Sequence, residues 1–162
     1  IQIAKGLGAR VISTASDETK RQFALKLGAD HVVDSTDTDW PVKVRELTGK
    51  RGVDLVVEHV GGEVLLQCFN CLARGGTIVT CGATAGREIS LKLWPLFVKE
   101  QRLIGSYGRN KTDIVNTLDW VAKGKLKAAI WKVYPLSKTA DAFVALRERQ
   151  VLGKVVIDTT AA

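Results

Sequence analysis

Short runs of β-branched residues alternate with helical stretches along nearly the whole chain, and that alternation restricts it to a parallel α/β architecture. Arg10-Val-Ile-Ser-Thr14 reads as a strand, and Ser16 then caps a helix over residues 17–27. Gly28–Asp34 supplies a helix stop and a second strand, and a helix follows near residues 39–48 with Pro41 in its first turn. Val53–Val57 is a buried-type strand, residues 62–73 a helix, and Gly76–Cys81 another strand. A short helix near residues 94–99 leads to a strand at Arg102–Ser106. Beyond it lie a helix over 111–123, an extended segment over 130–134, a helix over 137–149 and a strand at Lys154–Ile157. Continuous apolar strands joined by helices imply a sheet covered on both faces. Such sheets hold ligands at the carboxyl ends of their strands, so functional residues belong just after each apolar run.

Bulk properties narrow the class further. The chain has 162 residues, 46% hydrophobic and 25% charged, which describes a folded domain with its own core rather than a disordered segment. No apolar run approaches the ~20 residues that span a bilayer, so no membrane partner is expected. Three cysteines are an odd number, which argues against a disulfide framework and for a reducing, cytoplasmic setting. Residues 1–63 hold nine basic against ten acidic side chains, whereas residues 64–162 hold fifteen against seven. The basic half suits an anionic ligand, or else a solvated basic surface. The first segment, Ile1–Gly8, reads as the last turns of an amphipathic helix with an end but no start, so a longer polypeptide is expected upstream.

Three strands end in small residues: Glu58-His-Val-Gly-Gly62, Gly82-Ala-Thr-Ala-Gly86 and Gly105-Ser-Tyr-Gly108. Glycine lets a flat ligand approach the main chain closely, and also serves ordinary strand-to-helix turns. Three such ends along one sheet edge would make a long shallow crevice. Cys68-Phe-Asn-Cys71 has the spacing of half a zinc site, but no second pair accompanies it. With Leu65, Leu66 and Leu72 nearby, the two thiols are expected in the core. Cys81 is expected as apolar filling at a strand end, and His31 as a packed residue at a strand start. His59, next to Glu58 at the cleft edge, is the better candidate for a general base.

Six stretches, in order and in register, resemble the medium-chain dehydrogenase/reductase family of zinc alcohol dehydrogenases and quinone oxidoreductases. They are Ile3–Ile12, Lys26–Asp34, Gly52–Glu58, Ala73–Val79, Leu103–Ser106 and Gly153–Ile157. The resemblance implies a Rossmann-type doubly wound sheet of order 3-2-1-4-5-6 that lacks its first strand and glycine loop here. Gly6-Leu-Gly8 mimics that loop but precedes a strand, whereas a phosphate loop follows one and opens a helix. Without the central strand, a gap with unpaired backbone groups is expected between the second and fourth strands of the family's order.

The same resemblance implies a division of labour. Residues 1–109 would be a truncated NAD(P)-binding domain, and residues 110–162 would return to a catalytic domain. At the family's acidic ribose-selecting position stands Ala15, with Ser16 and Lys20 able to take a 2′-phosphate; this favours NADP over NAD, although Asp17 is close by. His59, Val60 and Gly61 would line the ribose side of the crevice, and Cys81, Gly82 and Ala83 the nicotinamide ribose. Ser106, Tyr107 and Gly108 would face the carboxamide, and Lys154 would reach the pyrophosphate. The catalytic residues are unknown, no metal ligand is assigned in this chain, and whether the parent protein needs zinc is open. Trp131, Val133 and Val155 would be left short of partners.

The implied function is the cofactor-binding part of an oxidoreductase that moves hydride between nicotinamide and an alcohol, carbonyl, quinone or enone, inactive as this chain alone. A homodimer through the Arg102–Ser106 strand is expected. Two alternatives stay open. Leu72-Ala-Arg-Gly-Gly76 resembles the glycine turn of S-adenosylmethionine methyltransferases, though Ala15 breaks their acidic pattern. Lys123, Lys125, Lys127, Lys132 and Lys138 around Trp120, Trp131 and Tyr134 would suit a non-enzymatic nucleic-acid-binding domain.

Overall fold

The computed structural model describes residues 1–108 and 110–161. Its elements keep the expected rhythm. They are α1 (Gln2–Gly6), β1 (Ile12–Ala15), α2 (Glu18–Lys26), β2 (His31–Asp34), α3 (Trp40–Leu47), β3 (Val53–Glu58) and α4 (Gly62–Cys71). There follow β4 (Leu72–Thr80), α5 (Leu93–Val98), β5 (Arg102–Gly105), α6 (Lys111–Ala122) and β6 (Ile130–Pro135). A 3₁₀ turn (Leu136–Lys138), α7 (Thr139–Arg147) and β7 (Lys154–Asp158) complete the order. No helix among the described residues is long and apolar enough to cross a membrane.

Every strand pairing is parallel, but the strands form three ladders: β1–β2, β3–β4–β5 and β6–β7. The ladder is interrupted between β1 and β3, where the resemblance leads one to expect a gap. Side chains bridge what the backbone does not. Val33 of β2, Trp40 and Val44 of α3, Leu65, Cys68 and Cys71 of α4, and Leu72 and Ile78 of β4 form one buried cluster, with Ile12 of β1 and Val56 of β3 against it. The Trp40 indole donates to the Gln67 side chain at 2.8 Å, tying α3 to α4.

Some boundaries differ from the sequence expectation, each for a local reason. Asp17, not Ser16, caps α2: its backbone is extended and its carboxylate accepts from the Lys20 amide at 2.9 Å. A carboxylate both satisfies that donor and complements the helix dipole. Within Gly28–Asp34 the helix stop is Gly28, with a φ of 100°, and the strand is confined to His31–Asp34 because Asp30 turns to accept from the Val11 amide at 2.7 Å. Helix α4 stops at Cys71, and Leu72 opens β4 instead of closing the helix. There Gly52 lies so close to the backbone of residues 71–73 that a Cβ would sit 2.7 Å from the Cys71 carbonyl oxygen.

The β3–β4–β5 sheet has two unlike faces. Val56, Ile78 and Leu103 share one face in register, and Val57, Val79 and Ile104 share the other. Ile78 is wholly buried in the cluster with α4, whereas Val57 is 69% exposed. Helix α6 has no buried residue; the Trp120 ring on its last turn lies against Gly6. In the β6–β7 pair Trp131 and Val133 are exposed as expected, while Val155 is half-buried.

Candidate functional site

The carboxyl ends of β3, β4 and β5 open into a crevice of about 490 Å³ lined by residues from all three tips. Its wall comes from Gly61 and Gly62 after β3, Thr80 to Ala83 and Gly86 after β4, and Gly105 to Tyr107 after β5. Parallel strands deliver these tips to one side by construction, and the glycines keep the wall low. Gly82 shows why small residues are required: a Cβ there would meet the His59 carbonyl oxygen at 2.4 Å.

A buried carboxylate builds this rim. Glu58, the last residue of β3, is 3% exposed. Its Oε1 accepts from the amides of Val60 at 2.5 Å and Gly61 at 2.8 Å, and its Oε2 accepts from the Thr80 hydroxyl at 3.0 Å. One side chain thus holds the turn after β3 and locks it to the end of β4. Burial of a charged group is tolerated only when its lone pairs are satisfied, and here both oxygens are. The turn runs through Gly61 at a φ of 77° and Gly62 at 55°, which opens α4 toward the crevice. The loop after β4 is stitched to it, with the Cys81 amide on the Glu58 carbonyl at 3.0 Å and the Ala85 amide on the Val60 carbonyl at 2.7 Å. A parallel bridge between Gly61 and Gly86 completes the seam.

Of the residues singled out from sequence, Gly61, Cys81, Gly82, Ala83, Ser106 and Tyr107 line this crevice. His59 and Val60 belong to the Glu58 turn but are not among the lining residues, and neither is Gly108. Ser16 and Lys20 meet at the tip of β1, in the other ladder: the Lys20 ammonium lies 3.4 Å from the Ser16 hydroxyl and 2.7 Å from an Asp17 oxygen. Hydrogen bonds from Lys20 hold the Asp17 carboxyl below its usual range. Lys154 opens β7, in the third ladder, outside the crevice wall.

The other candidates sort by burial. Cys68 and Cys71 are core residues, and burial pushes their thiols up to about 12 and about 11. Cys81 is exposed at the rim, not apolar filling, because the chain leaves the sheet at Thr80. The half-buried His31 ring lies 2.7 Å from the Arg10 guanidinium. Among the described residues no group of three or more His, Cys, Asp or Glu could hold a metal ion, so zinc finds no ligand set there. In the basic segment Lys125 and Lys132 sit over the rings of Trp120 and Tyr134.

Sequence reasoning passed over Glu58 and Thr80. The signal was present: an acid closing an apolar strand, beside a glycine pair, must be satisfied by something if it is buried.

Comparison with known proteins places the fold and the family. The family profile described as zinc-binding dehydrogenase matches residues 1–123. A quinone oxidoreductase-like protein 2 homolog of Nematostella vectensis is 34% identical over 96% of this chain and 45% of its own length. A 2-haloacrylate reductase of a Burkholderia species is 31% identical over 95% of this chain and 49% of its own. A solved NAD-dependent alcohol dehydrogenase superposes with a TM-score of 0.88 at 41% identity, over 98% of this chain and 46% of that one. The chain spans about half the length of the curated relatives it matches. With a Rossmann-type arrangement of parallel strands and a profile match over most of its length, this chain belongs to the medium-chain dehydrogenase/reductase family and corresponds to its carboxyl-terminal, nucleotide-binding part.

Proposed function

We propose that the strand-tip crevice holds a nicotinamide dinucleotide and that the whole protein is an oxidoreductase. The observation that carries this reading is the rim itself, where three parallel strands end in glycine or small residues and a buried Glu58 fixes the turn between two of them. A wall built of small residues suits a flat, extended ligand. When bound, the cofactor supplies hydride exchange at the nicotinamide ring with an alcohol, carbonyl, quinone or enone. The chain supplies orientation: Gly61 and Gly82 let the turns after β3 and β4 pack directly on each other and share one wall, and Ser106 and Tyr107 close the far end.

NADP is the preferred form in this reading. Ala15 puts no acid at the tip of β1, and Ser16 and Lys20 stand together where a 2′-phosphate would be taken. Residues 1–109 form the cofactor-binding part, and residues 110–162 run toward a catalytic domain. Hydride transfer needs that domain, so this chain alone binds cofactor without turnover. The exposed Leu103 and Ile104 on β5 support pairing of two copies through that strand, and a monomeric mass by sedimentation would refute it. Three unpaired thiols suit a reducing compartment such as the cytoplasm.

Thermal shift with NADPH, NADH and S-adenosylmethionine tests the reading. NADPH raises the melting temperature most, and Lys20→Gln removes the advantage of NADPH over NADH. A shift with S-adenosylmethionine alone would transfer the crevice to methyl transfer.

A further inference from the structure

Among the described residues that line the crevice, only Arg87 carries a formal charge. Its guanidinium makes no ion pair or hydrogen bond among the described residues, not even with Glu88 beside it in the chain. The Glu58 carboxylate behind this rim is buried and already spent on two amides and a hydroxyl.

The position of Arg87 is not a matter of loop chance. It follows Gly86, which bridges to Gly61 and packs so closely on Gly62 that a Cβ at Gly86 would lie 3.1 Å from the Gly62 Cα. Two further hydrogen bonds, Cys81 to Glu58 and Ala85 to Val60, hold the preceding loop against the turn after β3. The backbone that delivers Arg87 is therefore as well fixed as the rim itself. Arg87 itself is exposed, and a guanidinium at an otherwise neutral wall focuses positive potential there. Its planar fork matches an oxyanion in two parallel bonds.

We infer that Arg87 binds an anionic group of the ligand in this crevice, a phosphate of the dinucleotide or a carboxylate of the substrate beside it. The inference rests on the dinucleotide reading above. Both groups present the same paired oxygens to the guanidinium, and experiment separates them.

Two ligand pairs isolate the charge. Nicotinamide mononucleotide and nicotinamide riboside differ by one phosphate; propionate and propionamide differ by one carboxylate. Each pair is titrated by NMR into the full chain, the second with NADPH at saturation, for wild type, Arg87→Gln and Arg87→Lys. The wild type prefers the anionic member of one pair by about tenfold, the scale of one charge-assisted hydrogen bond. Arg87→Gln abolishes that preference at an unchanged melting temperature, and Arg87→Lys keeps part of it. The pair that responds names the source. An anionic preference equal in wild type and Arg87→Gln, or none in either pair, overturns the inference while leaving NADPH binding intact. Failure of the wild type to bind NADPH overturns the dinucleotide reading and this inference with it.

Discussion

The two faces of the β3–β4–β5 sheet carry the same kind of side chain in opposite surroundings. On one face Ile78 is fully buried and Val56 packs against a cluster that reaches α3, α4 and β2. On the other, Leu55, Val57 and Ile104 are largely exposed, and α6 buries none of its residues. Apolar letters therefore do not decide burial; the presence of a helix across the sheet does. The candidate site follows the covered face. Helix α4, whose Leu65, Cys68 and Cys71 anchor the core, begins at the Gly61–Gly62 turn that forms the rim. Rim and core are two ends of one helix, so damage to the core should reach the site. The open face has no comparable route to it.

The thiols give the widest contrast. Cys68 and Cys71, pushed up to about 12 and about 11 by burial, are neutral at pH 8, whereas Cys81 is exposed. Alkylation at pH 8 followed by mass spectrometry should label Cys81 at least about a hundredfold faster, since burial keeps the other two thiols protonated and shielded from the reagent. Equal rates would mean that the covered face opens readily. The sign for stability follows from the raised folded values: the contribution is complete below about pH 8 and is lost as pH rises toward the folded pKa values.

Packing comes next. Ile78→Ala should cost about 3 kcal/mol in chemical denaturation, from lost burial and the cavity left behind. Val57→Ala, on the open face of the neighbouring strand, should cost less than about 1 kcal/mol. Similar losses for both would break the comparison and show that the open face is covered in solution.

Glu58 tests the link between core and rim. Glu58→Ala strands the Val60 and Gly61 amides and should cost about 2 kcal/mol, with NADPH affinity falling at least about tenfold. Glu58→Gln keeps an acceptor for those amides and should recover most of both. Loss of stability with unchanged NADPH affinity would separate the rim from the site.

The smallest effect belongs to Asp17, the half-buried cap of α2 at the tip of β1. Asp17→Ala should lower the melting temperature slightly at neutral pH by removing the acceptor for the Lys20 amide. Because hydrogen bonds from Lys20 lower the folded pKa, the stabilisation exists above the unfolded value near 4 and is lost as pH falls through the folded one. Wild type and variant should converge in acid. If the variant also gains NADPH affinity, the competition between Asp17 and a 2′-phosphate for Lys20 is real.

Much of this was legible in the letters alone. Strand and helix order, parallel pairing, small residues at the strand tips and the core placement of Cys68 and Cys71 follow from periodicity and turn chemistry, which act over a few residues. The break between β1 and β3 came from the resemblance, and the structure places it there. What only the tertiary structure decided is which distant groups meet. Glu58 becomes an anchor because Thr80, 22 positions later, returns beside it, and Arg87 becomes the one charge on the crevice among the described residues because Gly86 is pinned to Gly61. Ser16, Lys20 and Lys154 look equivalent to the rim residues in sequence, yet they sit in other ladders. Local preferences are encoded by neighbours along the chain. The satisfaction of a buried charge and the convergence of a site depend on contacts that exist only once the chain has closed on itself.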